Sequence, residues 1–398
     1  MSPSLYVHIP FCLKRCIYCD FVSGIYDPEK AKTYIEALKK EISRIPDGKP
    51  LSTLFIGGGT PTALSAEVLT DLIKYIFNRF EFAHDFLINP PFPPFTEGGS
   101  ELTIEANPGT VDMDKLKAVR LGGINRISIG VQSFNDDELS FLGRIHTSKE
   151  AEQVVHLARD AGFENIGIDL IYGIPGQTLE RWKMTLDKAV TLRPQHISTY
   201  ELTVEERTEL YEYLKNPSLI PPLSKGGDMG VTICRRAKPG GNTLPPEDMI
   251  IEMYEHAIDY LTSKGYVHYE ISNFALPCYS CSHNINYWDR GEYYGVGLGA
   301  HSFIAGSRFH NTDNLDEYLD LISKNKNAVK GSESINSDMA LSEAIFLGLR
   351  KTEGLTLKTL SDRYERDISR HYKKELEELM DAGLIEFSYS NGLRNSSN

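Results

Sequence analysis

Six short β-type runs alternate with helical patterns over the first two hundred residues, and this alternation restricts the fold more than any other feature of the chain. The runs are Leu5–His8, Thr53–Ile56, Glu101–Ala106, Arg126–Gly130, Asn165–Leu170 and His196–Leu202. Between them lie amphipathic segments. Pro28–Arg44 carries Ile35, Leu38 and Ile42 on one face, the spacing of a buried helical stripe. Thr147 and Glu150 have capping-box spacing, and Val154, Ala158 and Ala161 line the face that follows. Strand and helix repeated in this way predict a parallel sheet with right-handed crossovers. Six units are too few for a closed eight-stranded barrel. The expected fold class is α/β, an open partial (βα)6 barrel.

After Glu247 the pattern changes. A helix over Met249–Ser263 leads into a stretch rich in Gly, Tyr and Asn, Tyr266–Ser302. Helical segments follow near Leu341–Arg350 and Ile368–Ala382, and Leu384–Phe387 is a candidate strand. This predicts a smaller, mostly helical α+β domain. The expected division is residues 1–215 for the barrel, 216–247 for a junction and 248–398 for the C-terminal domain. Two interruptions, Asn89–Gly99 (NPPFPPFTEGG) and Asn216–Gly227 (NPSLIPPLSKGG), share their order of Asn-Pro, Pro-Pro and Gly-Gly. Proline fixes φ and lacks a donor, so neither can be a helix or a central strand. They are read as inserted surface loops, the first within residues 86–100, and the last residues, Ser388–Asn398, as a frayed tail.

A chain of 398 residues, 41% hydrophobic, can fill the core of a large domain and a smaller one. Its net charge of −13 gives no general pull toward nucleic acid, so none is expected as a partner. No run approaches about 20 apolar residues. Met1–Pro10 lacks the charged start and long apolar run of a signal peptide. A cytoplasmic location is expected. Contact of a surface patch with lipid is left open, as is the choice between monomer and homodimer.

Three of the six cysteines, Cys12, Cys16 and Cys19, form a C-x3-C-x2-C loop directly after the first strand. Three thiolates this close can take three corners of a [4Fe–4S] cubane and leave the fourth iron open. The amino and carboxylate groups of S-adenosylmethionine can chelate that iron, and an electron from the cluster would then release a 5′-deoxyadenosyl radical. The competing reading is zinc on three cysteines and a distant histidine, but zinc favours two separated ligand pairs. Gly57-Gly58-Gly59-Thr60-Pro61-Thr62 follows the second strand. Glycines let a backbone approach a ligand closely, here the methionine amino group. Taken alone, a triple glycine can equally be a tight turn. Glu105, Gln132, Arg144 and Asp169 fall at or just after later strand ends, where parallel α/β folds bind ligands. The carboxylates suit ribose hydroxyls and amino groups, and Arg144 suits a carboxylate. Tyr6 and Tyr18 flank the cysteine loop and can pack on adenine or on the core. No residue is assigned a catalytic role.

The segments YVHIPFC, GGGTPT, EANP, GVQSF, LGRIH and DLIYGIPGQT together resemble the radical-SAM proteins related to oxygen-independent coproporphyrinogen III oxidase. The run YEISNFALPCYSCSHNINYW, with GEYYGVGLGAHS after it, resembles the heme chaperone HemW branch of that family. The resemblance covers most of the chain apart from the two inserts and the last dozen residues. It implies a radical-SAM partial barrel, with Gly58, Gly59, Thr60, Glu105, Gln132, Arg144 and Asp169 at the S-adenosylmethionine. It also implies heme binding at His283, Tyr287 and Trp288 of HNINYW, and delivery of heme to respiratory haemoproteins. A neutral imidazole can ligate heme iron and aromatic faces suit a macrocycle. The residues alone fit equally a hydrogen-bonded core histidine beside packed aromatics. The oxidases carry a further cysteine where this chain has Phe21, and they have an extension before the cysteine loop. Both departures favour the chaperone branch. The alternative is the oxidase activity itself, decarboxylation of coproporphyrinogen III by the radical. The family has glycine at the position of Cys278, so the pair Cys278 and Cys281 reads as incidental rather than as a second metal site. Cys234 carries no signal.

Overall fold

The computed structural model describes residues 2–83, 99–216 and 243–387. The expectations for residues 89–98, 217–242 (with Cys234) and 388–398 lie outside the described residues. All six expected strands form: β1 Ser4–Ile9, β2 Thr53–Gly58, β3 Glu101–Ala106, β4 Arg126–Gln132, β5 Asn165–Tyr172 and β6 His196–Glu201. They pair parallel in sequence order. Helices Pro28–Ile42 and Ser148–Asp160 stand where the stripes predicted, the second with its Thr147–Glu150 capping box in place.

Alternation along each strand gives the sheet two different faces. Leu5, Val7 and Ile9, Leu54 and Ile56, Ile127 and Ile129, and Ile166 and Ile168 point one way and have no exposed surface. The helices cover this face. Each such side chain contributes roughly 1.5–3 kcal/mol of burial. The opposite positions carry Glu101, Thr103, Glu105, Arg126, Ser128, Asp169, His196 and Ser198. Most of these are buried as well. A buried face with this polarity must be satisfied from inside, and it is where the site lies.

The sheet does not stop at six strands. Its order is β12-β11-β10-β9-β1-β2-β3-β4-β5-β6-β8-β7. The added strands are β7 Val267–Glu270, β8 Asn273–Ala275, β9 Tyr293–Val296, β10 His301–Ile304, β11 Ser307–Asn311 and β12 Val329–Ser334. β9 lies parallel to β1, with Ser4 opposite Tyr293, and β8 antiparallel to β6. Residues beyond 248 extend the sheet at both edges. Two corrections apply. Leu384–Phe387 forms no strand, and the helical run from Ile368 divides into Ile368–His371 and Lys373–Asp381. Helix Glu247–Ser263 packs on helix Leu179–Thr191, where fully buried Trp182 donates its indole N–H to the Met253 carbonyl at 2.9 Å.

Candidate functional site

A cavity of about 590 Å³ opens at the carboxyl ends of β2 to β6. The cysteine loop forms one wall. Phe11–Cys12 pairs with Gly24–Ile25 in a two-stranded ladder, and the Tyr26 N–H donates to the Cys12 carbonyl at 2.9 Å, so the loop is closed at its base. All three loop cysteines line the cavity. The Thr60 hydroxyl donates to Cys12 Sγ and Arg144 Nη1 to Cys16 Sγ, both at 3.5 Å. Burial pushes the Cys12 and Cys19 thiols up, so ligation by these sulfurs would release protons. Among the described residues no three His, Cys, Asp or Glu side chains converge on one ion. A cubane takes its thiolates at separate corners instead.

The glycine turn packs against the loop. A Cβ on Gly59 would stand 2.9 Å from the Phe11 backbone, and one on Gly58, at φ +111°, would strike the His8 ring. The Gly58 N–H donates to Glu105 Oε2 at 3.0 Å. Glu105 sits near the end of β3. Burial first, and the nearby Asp169 second, push its carboxyl up to about 8. Asp169 comes from the middle of β5 and accepts from the Ser128 hydroxyl. Burial raises its carboxyl too, against the pull of Ser198 and Arg126. Gln132 ends β4 at φ +69°, beside an irregularity in the β4–β5 register. Such a left-handed residue at a bulge re-aims its side chain.

Eight of the nine expected S-adenosylmethionine residues line this cavity: Tyr18, Gly58, Gly59, Thr60, Glu105, Gln132, Arg144 and Asp169. Tyr6 does not. Its hydroxyl bonds His8 Nδ1 at 2.9 Å, the other nitrogen of that ring bonds the Val22 carbonyl, and Tyr6 lines a second cavity. Sequence reasoning missed Asn107, which donates to Thr60 Oγ1 at 2.6 Å and accepts from Arg144. It also missed Tyr200 on β6, which lines the main cavity. Tyr200 was detectable, because it continues the period-two series His196, Ser198 on the polar face.

His283 lies elsewhere. It belongs to helix Ser282–Trp288, which packs on the polar face at the amino ends of the strands. Glu101, the first residue of β3, accepts from the N–H groups of Ser282 and His283 and from the Cys281 thiol. A carboxylate suits that helix end. Thr53 and Gly58 stand at opposite ends of β2, roughly 16 Å apart at about 3.3 Å per residue. His283 contacts Thr53. Its Nδ1 lies 2.7 Å from Thr53 Oγ1 and its Nε2 2.9 Å from the Tyr287 hydroxyl, and the ring is 1% exposed. Both nitrogens are engaged, so the ring offers no free lone pair to an iron. Trp288 lies under the Arg350 guanidinium, 4.3 Å from its ring centroid. Of the three HNINYW residues expected at heme, Tyr287 lines a second cavity of about 590 Å³, and His283 and Trp288 line neither that one nor the main one.

Burial holds the His283 ring down at about 3. The unfolded ring titrates at about 6.5, so the unfolded chain binds the extra proton and stability is lost as pH falls through that window. Denaturant titrations should show the gap between wild type and His283→Asn narrowing by about 2 kcal/mol from about pH 7 to about pH 5. A constant gap would mean the folded ring protonates freely.

Cys278 and Cys281 have different surroundings. Cys281 is fully buried, while Cys278 is exposed and free at φ +72°. A left-handed residue with a Cβ costs about 1–2 kcal/mol. Cys278→Gly is expected to raise the unfolding free energy by about 1 kcal/mol, read from the denaturant midpoint; a lower midpoint would refute it.

Residues 6–189 match the Radical SAM superfamily and residues 335–391 the HemN C-terminal domain. The chain is 35% identical to the heme chaperone HemW of Bacillus subtilis over 390 residues, covering 97% of this chain and 93% of that one. It is 36% identical to that of Escherichia coli, covering 76% and 70%. Coproporphyrinogen III oxidase (HemN) from Escherichia coli superposes with a TM-score of 0.77 at 24% identity, over 96% of this chain and 83% of that one. That likeness shows the fold, a radical-SAM partial barrel with a C-terminal HemN-type domain.

Proposed function

The chain belongs to the HemW heme-chaperone family within the radical-SAM superfamily, and from that premise we propose that it binds a [4Fe–4S] cluster, S-adenosylmethionine and heme, and passes the heme to respiratory haemoproteins. One observation carries the cofactor reading: three thiols, a glycine turn and the carboxylates of Glu105 and Asp169 face a single cavity. Among the described residues, Cys12, Cys16 and Cys19 are the only thiols in its lining, three sulfurs for a cluster of four irons. Bound there, the cluster would supply the electron that cleaves the sulfonium. The backbone of Gly58 and Gly59 would hold the amino acid moiety, Arg144 its carboxylate, and Glu105 and Asp169 the ammonium or ribose hydroxyls. Tyr18 and Gln132 would flank the adenosyl group. The free cysteines suit the reducing cytoplasm. Among the described residues no helix is long and apolar enough to cross a membrane.

Glu105 makes this reading testable. A cationic ligand must find the carboxyl ionised, so affinity should rise with pH until about 8. Equilibrium dialysis of anaerobically reconstituted protein should show that rise. Glu105→Gln should abolish it and weaken binding about tenfold, about 1.4 kcal/mol. Unaltered binding would remove Glu105 from the site. The chaperone reading itself is tested by incubating the protein with hemin, S-adenosylmethionine and an apo-haemoprotein acceptor. Heme transfer is expected. Formation of protoporphyrinogen from coproporphyrinogen would overturn it in favour of the oxidase.

A further inference from the structure

We propose that heme sits in the second cavity and that His301 ligates its iron. This rests on the heme-binding reading above and replaces His283 as the ligand. The cavity, about 590 Å³, has a volume typical of cofactor sites. It lies on the same polar face of the sheet, where that face continues across β1, β9 and β10. Tyr6, Tyr293 and Phe303 point into it from those strands, Tyr287 from the helix beneath, and Phe346 from helix Ser337–Gly348 forms its rim. These faces are broad enough to hold a macrocycle.

His301 is the accessible imidazole of this wall. It starts β10, opposite His310 on β11, and the two rings stack at 5.1 Å. Its surroundings, burial first and then His310 and Arg308, lower its proton affinity. The ring is therefore neutral near pH 7, the form that binds heme iron. Arg290 and Arg308 line the same cavity. Each reaches Glu343 at 2.7 Å, which fixes their positions. Guanidinium groups held in this way suit the two propionates of heme. The cavity also shares Asp20 and Phe21 with the main cavity. Those residues follow Cys19 directly, so a macrocycle here would lie against the cysteine loop.

The test titrates full-length protein with hemin, following the Soret band. Wild type should saturate at one equivalent with a histidine-ligated spectrum. His301→Ala should weaken binding at least tenfold and lose that spectrum, while His301→Met should restore binding with a shifted band. Phe346→Asp, at a residue 59% exposed, should weaken binding without disturbing the fold, checked by circular dichroism. If His301→Ala keeps the wild-type spectrum and affinity, the assignment is overturned while the heme reading stands. If wild type takes up no hemin, both fall.

Discussion

Anaerobic reconstitution of a Cys12→Ala, Cys16→Ala, Cys19→Ala variant is expected to give colourless protein with background iron, where wild type gives a brown one with about four irons per chain. The effect should be total, because among the described residues no other thiol lines this cavity. The fold should survive. The loop is pinned by backbone bonds, from Gly24 to Pro10, Tyr26 to Cys12 and Ile17 to Leu142, which no side chain makes. Circular dichroism of the variant should match wild type. Retained colour and iron would show that the ligands are elsewhere. Zinc in place of iron in the wild type would overturn the cofactor reading altogether.

Trp182→Ala should cost about 3–5 kcal/mol of stability. The indole is fully buried, packs on Tyr172 at 5.5 Å between ring centroids and bonds the Met253 carbonyl. That bond joins a barrel helix to the first helix after the junction. Denaturation should therefore stay a single transition with a lower midpoint, since both helices cover one sheet. Trp182→Phe keeps most of the volume and should lose only about 1 kcal/mol for the hydrogen bond. If Trp182→Ala instead split the transition in two, with the barrel unmoved, the two parts would be independent units.

The barrel strands and the main cavity were legible because their signals are local. A cysteine triplet, a glycine turn and strands of Leu, Ile and Val announce themselves within a few residues. The edge strands were not. Tyr293–Val296 is short, glycine-bearing and paired with Ser4–Val7, almost 290 positions away, and no window along the chain reports such a partner. Tyr6 shows a related limit. Sequence puts it beside the cysteine loop, but the strand's alternation turns it with His8 toward the other cavity. His283 shows a different limit. A histidine followed by tyrosine and tryptophan reads the same whether its nitrogens face iron or, as here, Thr53 and Tyr287. Only the partners decide, and one of them, Thr53, comes from a strand 230 positions earlier. The second cavity is assembled from five separate stretches of chain and left no linear trace.

The helix that seals the amino ends of the strands arrives late in synthesis. When β1 to β6 have left the ribosome, residues 282–288 and β9 are still to come, so Glu101 has no helix to cap and β1 has a bare edge. The uncovered face is the one bearing Glu101, Arg126 and His196. Charged and hydroxylated side chains keep water there, where leucines would have sought other chains. A nascent barrel built this way can wait for its floor without aggregating.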